Sequence, residues 1–324
     1  MRFLTNRSTD PYYNMAFDQY CLEQAVSDAP VFYLWRNRPS VIIGLNQNAY
    51  SEVNRPYLEE HGICLARRVT GGGAVYHDLQ NLNYTIVGRS NDLERDHAGY
   101  LHLFSEALRS LGVDAEVSGR NDILVDGRKV SGYAKRVWRD RLMIHGTLMY
   151  DVDIEALTAA LSAPGSKLEA KGIASVKSRV ANLKSLLPQY DSLDSLQAAL
   201  QEILADGDGE VLLSEAQKDG ISALAKEKFS TWEWNWGRSP QASLERSAKL
   251  GCGSVEARIT IEHGMISGLE FGGDFLGNLP ASELAGALRG CRYESGAIAR
   301  ALETIDTGSY FDDTTADQIA ALLI

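Results

Sequence analysis

The chain has no run of about 18 consecutive apolar residues, so it offers no transmembrane helix. It has few cysteines. Cys21, Cys64, Cys252 and Cys291 stand far apart and none has metal-ligand spacing, which suits plain thiols in a reducing compartment. The six histidines are dispersed, without an HxxxH pair on one helical face, so no structural zinc site is expected. The opening stretch MRFLTNRSTDPYY lacks the apolar core of a signal peptide, and a cytoplasmic chain is expected. Positive charge is also scarce. With 32 Lys+Arg against 43 Asp+Glu the formal net charge is −11, so no global field draws nucleic acid. The local exception is KRVWRDR, Lys135 to Arg141, which reads either as a solvated loop or as a contact for an acidic partner or a ligand phosphate.

What is present is ordinary globular material. The 324 residues are 44% hydrophobic and 23% charged, enough for one large domain or two smaller ones. Asn14 reads as the cap of a helix running to Ala25. VFYLW and SVIIG are β-rich runs around a turn, and a helix through Tyr57–Glu60 stops at His61-Gly62. ICLARRV leads as a strand into a glycine run, and AVYHDLQNLNYTIVG returns from it. AGYLHLFSEALRSLG is an amphipathic helix with a glycine stop, and NDILVDGRKVSGYA is a hairpin turning at Asp126-Gly127. LMIHGTLMYDVD is a further strand, followed by helical segments. Trp232, Trp234 and Trp236 would share one face of an extended segment, as a structural wall. Residues 238–250 read as a linker. Beyond it lie a hairpin turning at His263-Gly264 and three short helices. Strands and helices do not alternate regularly, so the fold class is α+β with a mixed or antiparallel sheet and flanking helices. The expected domains are 1–245 and a small α+β domain over 246–324.

The stretch RRVTGGGAVYHD, Arg67 to Asp78, carries the first chemical signal. Three glycines leave the backbone uncovered, so their N–H groups can converge on an anion. Arg68 adds a charged fork suited to carboxylate or phosphate. The run is neither a Walker loop nor a dinucleotide fingerprint, because no GK[ST] closes it and strands flank it. A bulged hairpin with glycines for packing remains the competing explanation. The second signal is Asn121-Asp122 followed by Asp126-Gly127-Arg128-Lys129. Strand alternation would place Lys129 and Ser131 on one face.

Together RRVTGGGAVYHD, QNLNYT, GRNDILVDGRKVSGYA, HGTLMYDVD and KGIASVKSRVANL closely resemble the lipoate-protein ligases, with biotin-protein ligases and octanoyltransferases as wider kin. The resemblance runs through WEWNWG and the C-terminal region. It implies a fold of the biotin/lipoate ligase type. It implies ATP-dependent conversion of lipoate to lipoyl-AMP, then transfer to a lysine of an apo lipoyl domain. The carriers it implies are E2 subunits of 2-oxoacid dehydrogenases and the glycine cleavage H protein. Mg2+ would accompany ATP, on its phosphates and not on a protein cluster. No nucleic acid or membrane partner is expected, and a monomer is the default.

By the same resemblance, Lys129 and Asp122 are the catalytic candidates. Arg68, Gly73, Ala74, Val75, Tyr76 and Lys129 would hold ATP. Lys129, Arg68, Gly72, His77 and His145 would hold lipoate. Thr70, Gly71, Asn81 and Asn121 would complete the pocket, with an apolar tunnel from residues such as Trp35, Val41, Ala66, Val69 and Tyr133. Gln80 stands where the family usually has glycine, Ile144 where it often has histidine, and Thr70 replaces a common serine. The first two leave the fine geometry around Asn81 and His145 open. Rival readings are a cysteine-dependent octanoyltransferase, a transferase of preformed lipoyl-AMP, a non-catalytic lipoyl-domain binder and a biotin ligase. Ser118, Gly119 and Arg120 occupy the region where the octanoyltransferase would need its cysteine.

Overall fold

The computed structural model describes residues 1–24, 27–118, 122–161, 179–205 and 209–324. Asn121, Gly119, Arg120 and most of KGIASVKSRVANL lie outside the described residues. By packing, the described chain forms two compact units, one over 1–45, most of 60–162 and 166–231, the other over 46–59 and 232–324. Among the described residues no helix is long and apolar enough to cross a membrane.

In the first unit the strands are β1 Arg2–Leu4, β2 Val31–Trp35, β3 Ser40–Ile43, β4 Cys64–Arg67, β5 Val75–His77, β6 Asn81–Arg89, β7 Ala115–Ser118, β8 Asp122–Val125, β9 Arg128–Trp138, β10 Arg141–Met149 and β11 Glu210–Val211. Eight of them form a mixed sheet in the order β11-β1-β2-β6-β10-β9-β8-β7, parallel at the β11-β1-β2 end and antiparallel from there on. A separate small sheet has the order β4-β3-β5. The α+β class and the mixed sheet are as the sequence led us to expect.

Strand alternation divides the labour of the large sheet. Phe32, Leu34, Leu82, Tyr84, Ile86, Leu142, Ile144 and Leu148 pack into one core cluster. Helices Leu93–Ser110 and Leu193–Leu204 supply Phe104, Leu108, Leu196 and Leu200 to it, and Tyr84 stacks on Phe104 at 3.7 Å. The intervening positions, Trp35, Asn83, Thr85, His145 and Thr147, are the more polar set. Helix Pro11–Gln24 packs on β4, β6 and β10.

That helix begins earlier than expected. Pro11 opens it and the Asp10 side chain accepts from the Tyr12 N–H at 2.9 Å, so Asp10 caps it and not Asn14. Asn14 is instead buried one turn in, donating to the carbonyls of Ser8 and Arg36 and to Asn37 Oδ1. The turn at Asp126-Gly127 forms as expected, with φ of 51° and 71°.

In the second unit, β12 Ala242–Leu250, β13 Gly253–Glu262 and β14 Met265–Gly273 make an antiparallel sheet. Helices Ala281–Leu288, Ser295–Leu302 and Ala316–Leu323 cover it, burying Leu284, Ile298 and Ile319 against Val255, Ile259 and Ile266. The linker expected over 238–250 is therefore corrected. Its last nine residues are β12, where Leu244, Ala248 and Leu250 pack against the core at period two. The tryptophan segment is also corrected. Glu233–Gly237 is a helical π-turn, so the strand alternation that would align all three rings does not apply. Each meets its own arginine: Trp232 with Arg292, Trp234 with Arg238 and Trp236 with Arg55, at 4.5, 4.8 and 4.8 Å from ring centroid to guanidinium.

Candidate active site

A cavity of about 230 Å³ opens in the first unit. Its floor is the polar side of the large sheet, through Trp35, Asn83, Thr147, His145, Gly132, Tyr133 and Ala134. Met15, Ile42 and Val75 bring apolar surface from the helix and small sheet, and Gly72 to Ala74 form the loop at its edge. Arg68, His77 and Lys129 line it as well. Three segments distant in sequence thus converge.

The glycine loop is held from beneath. The Arg68 guanidinium donates to the carbonyls of Ile42, Gly71 and Gly73 and to Thr70 Oγ1, at 2.8 to 3.2 Å. Arg68 therefore fixes the loop as well as lining the cavity. Burial pushes its pKa down to about 10, which still leaves it charged at neutral pH. Gly72 adopts φ 95°, a conformation that favours glycine. Gly44 is required for another reason: a Cβ there would meet the Gly72 carbonyl oxygen at 2.1 Å. Gly71 and Gly73 are exposed and a Cβ on either would meet nothing within 4 Å.

Beside the loop runs a buried polar relay. Thr70 Oγ1 is 2.7 Å from His145 Nε2, and His145 Nδ1 is 2.6 Å from Asp18 Oδ2. Asp18 also accepts from Tyr33 Oη at 2.6 Å and from Thr85 Oγ1 at 3.0 Å. A carboxylate at Nδ1 places the proton on that nitrogen. Because Arg68 Nε can only donate to Thr70 Oγ1, the threonine's own proton is free to go to Nε2. Buried and next to Asp18, the Tyr33 hydroxyl is held well above its ordinary pKa and stays a donor.

His77 is buried, its Nδ1 is 3.0 Å from Asn37 Nδ2, and its Nε2 has no partner among the described residues. Burial, then the charge of Arg68, then His145, lower its pKa to about 3, so it is neutral at physiological pH.

Lys129 sits at the start of β9, its Nζ 2.7 Å from Asp122 Oδ1, with both side chains half-buried. The pair is a close approach of charges. The strand is irregular here, since Ile123 faces Ser131 while Leu124 faces Lys129. This bulge breaks the expected sharing of a face. Ser131 is buried, 3.4 Å from Tyr84 Oη, whereas Lys129 reaches the cavity.

Of the residues singled out from sequence, Arg68, Gly72, Gly73, Ala74, Val75, His77, Lys129 and His145 line the cavity. Thr70 and Asp122 stand behind His145 and Lys129. Asn81 lies one residue pair away, donating to Asn83 Oδ1 at 2.9 Å, and Tyr76 and Gly71 are not in the lining. Asn121 lies outside the described residues. Of the expected tunnel residues, Trp35 and Tyr133 line it; Val41, Ala66 and Val69 do not, and Met15, Ile42 and Val75 take that place. The sequence reading missed Asp18, Asn37, Asn83 and Thr147. Asn14 and Asp18 do lie one helical turn apart on a buried stripe with Cys21 and Leu22, a spacing that marks polar groups turned inward.

Comparison with known proteins identifies the family. Residues 10–205 match the lipoyl protein ligase A/B catalytic domain, and residues 239–323 match the bacterial lipoate protein ligase C-terminus. The chain is 37% identical to lipoate-protein ligase LplJ of Bacillus subtilis over 330 residues, covering 100% of both chains. Among solved structures it is similar to a bi-partite lipoate protein ligase from Thermoplasma acidophilum, described with its E2 lipoyl domain. The TM-score is 0.66 and the identity 29%, over 74% of this chain and 98% of that one. It is also similar to a lipoate-protein ligase A bound with ATP, at TM-score 0.64 and 29% identity, over 73% of this chain and 98% of that one. The chain belongs to the lipoate-protein ligase family.

Proposed function

We propose that this protein is an ATP-dependent lipoate-protein ligase whose two half-reactions share the cavity. In the first, a lipoate carboxylate oxygen bonds to the α-phosphorus of ATP and pyrophosphate leaves, giving lipoyl-AMP. In the second, a carrier lysine amine bonds to the acyl carbon and AMP leaves, giving an amide. The first step brings two anions together. At about 4 Å they repel by about 4 kcal/mol at an effective dielectric of about 20. The observation that carries the proposal is that Lys129, Arg68 and the glycine-loop residues Gly72, Gly73 and Ala74 line one cavity that also has apolar walls.

Lys129 bridges the lipoate carboxylate and the α-phosphate, and Asp122 orients its ammonium. The loop from Gly73 to Tyr76 holds the nucleotide by its backbone, with Arg68 as the charge beneath it. Gly72, His77 and His145 line the acyl part. Mg2+ neutralises ATP phosphate charge when bound. It would be carried by the ATP phosphates. The carriers are apo lipoyl domains of 2-oxoacid dehydrogenase E2 subunits and the glycine cleavage H protein. The four free thiols suit action in the cytoplasm.

The test mixes protein, lipoate, Mg-ATP and an apo lipoyl domain and follows the carrier by mass. A gain of one lipoyl group is expected. Gain from synthetic lipoyl-AMP but not from ATP would reduce the protein to a transferase, and gain from an octanoyl carrier without ATP would make it an octanoyltransferase.

A further inference from the structure

The basic run KRVWRDR, Lys135 to Arg141, contributes no residue to the cavity lining. The structure divides its charges into two sets. Arg136 turns inward and donates to the Val69 carbonyl, and Arg141 donates to the Leu22 carbonyl at 2.8 Å. Asp140, the one acid of the run, faces Arg89 at 3.7 Å. Lys135 and Arg139 form the other set. Both are exposed, and neither has a carboxylate partner among the described residues. Arg139 lies over the Trp138 ring, 5.8 Å from its centroid. Alternation puts Val137 on the side of Lys135, and it is 42% exposed.

The same strand has an open edge. β10 pairs with β9 from Tyr133 to Trp138, whereas β8 pairs with it from Arg128 to Gly132. On the side away from β10, the backbone from Ala134 to Trp138 therefore has no strand partner among the described residues. The N–H and C=O groups of such an edge are a template for a further strand. A lysine on an edge can also serve simply to keep other strands away. Two observations favour a partner. The exposed Val137 beside Lys135 offers apolar contact instead of repulsion. The edge also begins where the cavity lining ends: Gly132, Tyr133 and Ala134 line the cavity, and Lys129 stands earlier on β9. A carrier held on this edge is beside the cavity that its lysine must enter. Charge selects the kind of partner. A chain of formal charge −11 repels an acidic protein over most of its surface, so two uncompensated cations beside the cavity steer such a protein to this strip.

Resting on the ligase function proposed above, we propose that the open edge of β9 over 134–138, with Lys135, Val137 and Arg139, is the docking strip for the apo lipoyl domain. The domain adds a strand to this edge and sets carboxylates against Lys135 and Arg139.

The experiment follows lipoyl transfer from lipoate and Mg-ATP to an apo lipoyl domain in wild type and in Lys135→Glu/Arg139→Glu. Beside it runs lipoate-dependent exchange between pyrophosphate and ATP, which needs no carrier. The double reversal should raise KM for the carrier about tenfold, because repulsion replaces attraction at two rim pairs. It should leave kcat and the exchange reaction unchanged. Lys135→Arg/Arg139→Lys, which keeps both charges, should keep the wild-type KM. An unchanged carrier KM in the double reversal overturns the proposal. So does a raised KM for ATP in the exchange reaction, because the strip then serves the nucleotide's phosphates. Strand addition is tested on the wild type by amide hydrogen exchange, with an apo domain whose acceptor lysine is replaced by arginine. Outward amides within 134–138 should gain protection, and unaltered exchange there overturns the proposal. A wild type that supports neither pyrophosphate exchange nor transfer sinks the ligase function itself, a separate failure.

Discussion

Replacing Gly44 by alanine should disable the site from outside it. The added methyl carbon would lie 2.1 Å from the Gly72 carbonyl oxygen, about 0.9 Å inside the 3.0 Å that real Cβ atoms respect, and 3.3 Å from Arg68 Nη2. Ile43 and Arg67 are buried strand residues on either side of this contact, so the glycine loop is the part that must yield. Relief takes the form of a loop shift of about 1 Å, with Arg68 losing alignment to the Gly71 and Gly73 carbonyls. Overpacking of this size costs about 1–3 kcal/mol of stability. Misplacement of binding groups by about 1 Å costs about a hundredfold in rate. Gly44→Ala should therefore remain folded by circular dichroism, with lipoyl-AMP formation down about a hundredfold. Gly73→Ala is the control for stability, because its methyl meets nothing within 4 Å and its urea midpoint should match wild type. Gly44→Ala with wild-type kcat/KM would refute the view that the loop's position is set by this contact.

Three further outcomes follow from the same geometry. Arg68→Ala strands the Ile42, Gly71 and Gly73 carbonyls, and a loss of about 3 kcal/mol in urea unfolding is expected together with loss of adenylation; Arg68→Lys, lacking the fork, should not rescue it. For His77, the unfolded value near 6.5 exceeds the folded value of about 3, so the unfolded chain binds the extra proton. Its neutral state supports the fold above pH 6.5 and that support is lost as pH falls towards 3, by about 2 kcal/mol at about pH 5; His77→Gln should flatten this part of the stability–pH curve. Asp18→Asn removes the charge behind His145 and should lower the rate of lipoyl-AMP formation about tenfold, while Asp18→Glu, which keeps the charge, should recover part of it.

The glycine loop and its arginine were legible in the sequence because they are adjacent, and φ freedom and a guanidinium fork each have a chemical meaning on their own. Lys129 was legible only through the resemblance. A lysine in a hairpin is usually solvated, and the bulge at Val130 breaks the alternation that would have assigned its face. Asp18 and Asn37 were not legible as site residues. Asp18 is one of two polar residues in the buried run 14–18, Asn37 lies between two arginines, and what ties each to the cavity is a partner far along the chain, His145 or His77. The β12 strand looked like a linker because its period-two pattern is carried by few apolar residues. The tryptophan segment misled for the opposite reason: spacing by two fits a strand, but a helical turn can carry it too, and here pairing with three separate arginines accompanies the helical form.

The central claim is that this cavity joins lipoate to AMP with Lys129 as the bridging charge. Lipoate-dependent exchange of label between pyrophosphate and ATP tests it most directly, because it requires reversible adenylation and no carrier. The account predicts exchange in the wild type that vanishes without lipoate and is abolished in Lys129→Ala, with the variant's circular dichroism and urea midpoint unchanged. Undiminished exchange in Lys129→Ala, or none in a wild type that still transfers from synthetic lipoyl-AMP, would contradict it.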